Sequence, residues 1–306
     1  MRPTDGTVQR GRRGPVGGLH LIFNGDDFGR DPGINEAIIL AHEEGVLTSA
    51  SLMVTGAAFE DAVARARQHP TLAVGLHLVL VDADGALPAS RTRRLPRAMS
   101  RLPRDPFLGG VQYFLNPRAR AEALLEMTAQ FERFLETGLP LAHVDAHYLI
   151  HLHPTILWLL VPLAESYRVP GIRLPRDELV ATLRLDRRRL ASKLTWASVY
   201  ALLNRLAERR LRRSRLAFTD RVYGLLQSGR MHEPFVSSLV RSIPQKVRSA
   251  ELYFHPCTRF LGEPFGPNPG DLAALLSPGL RAAIAERDAV LTSYARLGAG
   301  NSRRDQ

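Results

Sequence analysis

The stretch LHLIFNGDDFGRDPGINEAIILAHEEG, residues 19–45, decides the fold. LHLIFN (19–24) is a mostly apolar run that reads as a buried strand. A polar turn with two aspartates follows. GINEAIILAHEEG then carries apolar residues at helical spacing, with Gly45 placed as a stop signal. Strand, polar turn and helix in that order form one unit of an α/β architecture.

The same unit recurs further along the chain. SASLMV (49–54) reads as a second strand, AAFEDAVARARQ (57–68) as a second helix and VGLHLVLV (74–81) as a third strand. Residues 82–117, rich in Pro, Gly and Arg, read as a long loop of the kind that carries function. An amphipathic helix over 118–136 ends at Gly138, and a strand around HVDAH (143–147) leads into a helix beginning near Pro154. GIRL (171–174) and ELYFH (251–255) are later strand candidates, and 271–296 reads as mostly helical. The alternation predicts a mainly parallel sheet. With no internal repeat and no clear linker, one domain over 19–296 is expected. Residues 1–18 are polar, basic and glycine-rich without the apolar core of a secretion signal, so a disordered tail is expected there. Residues 297–306 are expected to form a flexible tail. The most apolar run, 155–164, is too short to span a bilayer and contains Pro162.

Composition narrows the functional classes. The chain has 306 residues, of which 45% are hydrophobic and 23% charged, as in globular rather than disordered proteins. A single cysteine, Cys257, excludes an internal disulfide and a cysteine-rich zinc site, and fits a reducing cytoplasm. The formal charge of +11 would suggest a polyanionic partner. However, 39 of the 41 basic residues are arginine, and residues 181–216 alone carry a net +9. The excess is therefore local and marks a basic helical insertion. That segment has no spaced aromatics of the kind that bind single strands, and no nucleic-acid partner is expected.

Four polar positions fall at strand ends, where α/β folds place their sites. Asp26 and Asp27 follow the first strand as adjacent carboxylates that need a counter-charge if buried; they could also cap the next helix. His77 lies in VGLHLVL, where a satisfied core histidine is the plain alternative. HVDAHYLIHLHP (143–154) holds His143, Asp145, His147, His151 and His153. HxDxH at a strand end is a metal-ligand pattern, and 147 and 151 share a face only if helical, so one ligand is expected from the group. His255 closes a late strand in YFHP. Imidazole and carboxylate ligands suit zinc or another divalent ion, which leaves a position for water. A nearby carboxylate and imidazole could then move protons during amide hydrolysis. No GxSxG, P-loop, HExxH or strand-linked GxGxxG is present, and Cys257 reads as a small core residue.

NGDDFG (24–29), VGLHLVL (74–80), HVDAHYLIHLHP (143–154) and YFHP (253–256) resemble the YdjC-like carbohydrate deacetylases, which include the chitooligosaccharide deacetylases. The resemblance spans roughly residues 19–295. It implies a distorted, TIM-barrel-like (β/α) barrel with one divalent ion, Zn2+ or Mg2+, held by Asp27, His77 and His147. It also implies Asp26 as general base and His255 as acid or carbonyl-polarising group. Arg173, with His151 and Asp145, is implied near the substrate. Tyr148 and Leu149 stand where the family is richer in histidine, and Gly25 replaces the more usual alanine.

SLMVTGAAFEDAV (51–63), GLHLVLVD (75–82) and ELYFHP (251–256) look most like the hopanoid-biosynthesis-associated branch, which implies a glucosaminyl group on a hopanoid lipid as substrate. Residues 185–216 would then be a basic amphipathic helix resting on an anionic membrane surface, at the inner face of a cytoplasmic membrane. Two other readings stand beside it: a deacetylase of soluble chitooligosaccharides, and a non-catalytic basic protein that binds anionic membrane or nucleic acid. The sequence carries no sign of oligomeric state.

Overall fold

A computed structural model of the chain describes residues 18–87, 102–176, 179–263 and 265–302. The opening strand runs through the aspartate pair as β1 (His20–Phe28) and is followed by α1 (Pro32–Glu43), β2 (Ser49–Leu52), α2 (Phe59–Gln68) and β3 (Ala73–Leu78). Helices α3 (Pro106–Leu115) and α4 (Pro117–Glu136) lead to β4 (Val144–Ala146), then α5 (Pro154–Ser166), α6 (Leu179–Leu185) and α7 (Leu190–Leu211). The chain ends with β5 (Arg221–Tyr223), α8 (Glu233–Ser242), β6 (Ser249–Phe254), α9 (Pro269–Leu276), α10 (Pro278–Glu286), β7 (Val290–Leu291) and α11 (Tyr294–Ser302).

All strand pairs are parallel, in the order β4-β3-β2-β1-β6-β5, with β7 joining the start of β1. Beyond β4 the sheet continues as single bridges, Val144 to Ile172 and Gly171 to Ala217, and curls into an incomplete barrel. This is the mainly parallel sheet that the alternation predicts and the distorted (β/α) barrel that the resemblance implies. β1 is buried from Leu21 to Phe28, as the central strand of a parallel sheet with both faces covered must be. One continuous apolar core joins the sheet to its helices.

Three segments differ from expectation. Within 82–117, read as a loop, α3 forms, started by the Asp105 carboxylate accepting from Leu108 N and by Pro106 in the first turn. Residues 271–296 divide into two helices, a two-residue strand and the start of a third helix. α11 reaches Ser302, into the stretch read as a flexible tail, and residues 303–306 and 1–17 lie outside the described residues. Residues 181–216 are largely helical, in α6 and α7. Among the described residues no helix is long and apolar enough to cross a membrane.

Candidate metal and catalytic site

Parallel strands place all their C-terminal ends on one side of the sheet, and the polar residues gather there. In β4 and its flanks the two-residue alternation of a strand puts His143, Asp145 and His147 on one face, which explains the spacing of HxDxH. The same alternation aligns Glu251, Tyr253 and His255 along β6. Gly75 of β3 makes room for this packing, since a Cβ there would meet the His143 ring at 2.4 Å.

Alternation alone would send Asp26 and Asp27 to opposite faces. Instead, Asp27 has φ 64°, in the left-handed region, and the register between β1 and β2 slips between Gly25 and Phe28. This local twist of the strand brings both carboxylates towards the same site. A non-glycine residue in that region costs free energy, and such outliers cluster at functional sites.

Asp27 Oδ1 lies 3.1 Å from His147 Nδ1 and 3.5 Å from His77 Nε2. It is buried and has no hydrogen-bond partner. Its other oxygen takes the guanidinium of Arg30 at 3.1 Å. His77 Nδ1 bonds to Asp145 Oδ1 at 2.8 Å, which leaves the Nε2 lone pair aimed at Asp27. Two imidazole nitrogens converging on one carboxylate oxygen call for a cation shared among them, a proton or a metal ion. In a tetrahedral zinc site with bonds of about 2.0–2.1 Å, neighbouring ligand atoms stand about 3.3 Å apart, so the spacing here fits a divalent ion. The carboxylate behind His77 is the usual outer partner of a metal-bound imidazole. Burial alone would raise the Asp27 carboxyl, but His147 and His77 outweigh it and hold it well below the ordinary carboxylate range.

Behind this cluster Arg173 is wholly buried and joins three carboxylates. Its guanidinium forks onto Asp26, with Nη1 to Oδ2 and Nη2 to Oδ1 both at 2.7 Å. Nη2 also meets Asp145 Oδ2 at 2.8 Å, and Nε donates to Glu251 Oε1 at 2.9 Å. Tyr294 closes the network by donating to Glu251 Oε2 at 2.5 Å. Asn24 Nδ2 donates to Asp26 Oδ1 and to Ser51 Oγ, both at 2.8 Å, and Ser51 Oγ donates to Asp145 at 2.8 Å. Burial pushes the Asp145 carboxyl up, but Arg173 and His77 overcome that and hold it far below its ordinary value. His255, at the end of β6, has Nε2 4.0 Å from Asp26 Oδ2, and its backbone N–H donates to the buried Asp271.

The structure thus brings Asp26, Asp27, His77, His147 and His255 to one place. Arg173, Asp145 and His151, expected to touch substrate, are fully buried. Their tasks lie inward instead: Arg173 and Asp145 hold Asp26 and His77, and His151 Nε2 bonds to the Arg173 carbonyl at 2.9 Å. His147 and His151 part company because Tyr148 and Leu149, both at φ 53°, turn the short helical segment His147–Leu152 away from the strand. Sequence reading missed Asn24, Arg30, Ser51, Glu251, Asp271 and Tyr294. Glu251 carried a usable signal, because it precedes His255 by four residues on the same face of β6.

A family profile described as YdjC-like protein matches residues 20–286. The chain is 31% identical over 287 residues to a Serratia marcescens protein named chitooligosaccharide deacetylase, covering 90% of this chain and 97% of that one. It is 43% identical over 168 residues to a Brevibacillus brevis protein named carbohydrate deacetylase, covering 53% of this chain but only 64% of the relative's length. In fold it resembles the crystal structure of an Enterococcus faecalis protein described as a cellobiose-phosphate cleavage protein. That likeness has a TM-score of 0.66 at 22% identity, over 92% of this chain and 99% of the other.

Proposed function

The chain belongs to the YdjC-like family, and from that premise we propose that it is a metal-dependent hydrolase removing the N-acetyl group of an amino sugar. The observation that carries the reading is the buried Asp27 oxygen, without a hydrogen bond and faced by the nitrogens of His77 and His147. Those three residues would hold the ion, Zn2+ or Mg2+. When bound, the ion would polarise the acetyl carbonyl and make a nearby water more acidic.

The remaining roles follow from position. Asp26 takes the proton of the attacking water as the water oxygen bonds to the acetyl carbon. His255 gives a proton to the amine nitrogen as the C–N bond breaks, leaving acetate and the free amino sugar. Arg173 and Asn24 fix the Asp26 carboxylate, and Asp145 fixes the ring of His77. Together they hold the reacting groups before substrate arrives. The intact cluster weighs against a non-catalytic basic protein, which would have no use for it.

Two substrates remain in contention. The hopanoid-branch motifs favour a glucosaminyl group carried on a hopanoid lipid, with residues 185–216 resting on an anionic membrane surface. The similarity to the Serratia protein over nearly its whole length favours a soluble chitooligosaccharide. Acetate release from an N-acetylglucosaminyl lipid and from diacetylchitobiose, with and without chelator, tests both. Chelator-sensitive release that is lost in Asp27→Ala is expected, and the better substrate decides the branch. No release from either, with no metal bound, would refute the hydrolase.

A further inference from the structure

Helix α3 is built inside out. Its ten residues, PFLGGVQYFL, include no charged side chain. At about 100° per residue, Phe107, Leu108, Val111, Phe114 and Leu115 fall within an arc of about 120°. In a surface helix that arc would face the core. Here those five side chains are exposed, Phe107 to 77% and Leu115 to 69%, while only Gly109 and Tyr113 are buried. The helix is nevertheless firmly placed. Tyr113 donates to the Leu80 carbonyl, Asp105 caps the first turn, and Arg120 donates to the carbonyls of Tyr113 and Phe114 at the last.

The exposed apolar side chains are unevenly spread. Many lie on segments that follow the C-terminal ends of strands, while Leu124, Leu125 and Leu135 of α4 and Val290 of β7 are exposed as well. α3 follows β3, α6 and α7 follow the 171–174 segment, and Phe260 and Phe265 follow β6. Helices α1, α2, α8, α9 and α10 expose none. α7 buries only Lys193, Ala207 and Leu211 and leaves Leu194, Trp196, Leu202 and Leu206 in the open. α3 and α7 both pack on α5 and on the His147–Leu152 segment. On the shared α5, Trp158 is exposed with the Arg210 guanidinium of α7 over its ring at 4.5 Å. Arginines 184, 187, 188, 189, 205, 209, 212, 213 and 215 are exposed along the same segment. Its two acidic residues are already paired, Asp186 with Lys193 and Glu208 with Arg176 and Arg212.

We infer that α3 is an uncharged anchor which, together with the basic α7, seats the mouth of the site on an anionic lipid bilayer. The inference rests on the proposed membrane contact through 185–216 and adds to it a second element of different chemistry. Arginines are drawn to anionic headgroups, and that attraction is screened by salt. The apolar arc of α3 enters the boundary of headgroups and acyl chains, and that contribution survives salt. An apolar patch of this kind, left in water, marks an interaction surface.

The test is flotation of the full-length protein with vesicles of phosphatidylcholine containing phosphatidylglycerol, at low and high salt. A quadruple variant, Phe107→Ser, Leu108→Ser, Phe114→Ser and Leu115→Ser, is compared with a variant replacing Arg187, Arg188, Arg209 and Arg213 by Gln. Wild type is expected to bind, more weakly at high salt but with a remainder. The α3 variant should lose that remainder and bind roughly tenfold more weakly or worse, while still cleaving diacetylchitobiose at the wild-type rate. The arginine variant should lose the salt-sensitive part. Unchanged binding by the α3 variant would overturn the inference and leave the 185–216 contact standing. No binding by wild type would remove both. If wild type is instead a dimer that ignores vesicles and the α3 variant is a monomer, the surface belongs to a second copy and the inference fails. Vesicle binding without deacetylation would refute the proposed activity and not the docking surface.

Discussion

His77 donates from Nδ1 to Asp145 across 2.8 Å, and this one bond selects the ring nitrogen that faces Asp27. A neutral imidazole has one donor and one acceptor, so fixing the proton on Nδ1 leaves Nε2 free to bind an ion. Asp145→Asn keeps the shape but can present its amide nitrogen to the ring and favour the other tautomer. Loss of such an outer partner typically costs 10–100-fold in metal affinity. Titration calorimetry with Zn2+ is expected to show a fall of about that size, with a native circular dichroism spectrum. Unaltered affinity would mean that Asp145 does not orient the ligand.

The Arg173 hub makes a stability prediction of opposite character. One guanidinium is the cation shared by three buried carboxylates, so Arg173→Met leaves Asp26, Asp145 and Glu251 without it. Breaking a buried ion pair from one side costs roughly 3–5 kcal/mol. Orphaned in a dry site, these carboxyls would bind protons more readily folded than unfolded. Protonation therefore relieves the variant progressively as pH falls towards the ordinary carboxylate range, where the relief is complete. That relief fades as pH rises. Urea unfolding should show a larger gap between variant and wild type at pH 8 than at pH 5, and a constant gap would count against the network.

Two histidines outside the metal cluster give the pH dependence its sign. Burial first, with the Arg173 charge adding to it and the Asp145 carboxylate opposing, lowers both His143 and His151 from the ordinary 6.5 to about 4. Each has a ring nitrogen, Nδ1, with no hydrogen-bond partner, so a second proton there would be buried and unpaired. The unfolded chain binds these protons first, so their contribution is complete above about pH 6.5 and is lost as pH falls towards 4. Its size is on the order of 3 kcal/mol for each histidine. His77 works in the other direction. Burial lowers its pKa, but Asp145, with Asp26 and Asp27, more than offsets that and raises it, so the histidine contribution is isolated by difference. Denaturant midpoints of wild type should fall between pH 7 and pH 5 more steeply than those of His151→Gln, and parallel curves would rule this out.

The sequence was legible where function and strand geometry coincide. HVDAH and the Asp26-Asp27 pair stood out because titratable residues interrupt apolar strands, and the structure gathers both at the C-terminal ends. The partners that fix them were invisible for a physical reason. Ser51, Glu251 and Tyr294 are ordinary residues on strands and helices brought together only by the curl of the sheet, and Tyr294 lies 43 positions from the glutamate it touches. β5 and β7, three and two residues long, are too short to show alternation. α3 was hidden by its composition, since Pro106, Gly109 and Gly110 read as loop punctuation although the proline sits where a helix begins.

The backbone of Asp27 supplies the last prediction, which separates fold from ligation. At φ 64° most side chains are strained, whereas asparagine, like aspartate, tolerates the left-handed region. Asp27→Asn should therefore keep the strand geometry but lose the anionic ligand. Asp27→Ala should lose the ligand and also carry a backbone cost of about 1 kcal/mol or more. In chelated protein, thermal unfolding should rank asparagine above alanine. Metal content after dialysis against Zn2+ should be low in both. A variant series in which stability follows the ranking but bound metal stays at the wild-type level would take Asp27 out of the ligand set and leave the positive φ as a feature of the turn alone.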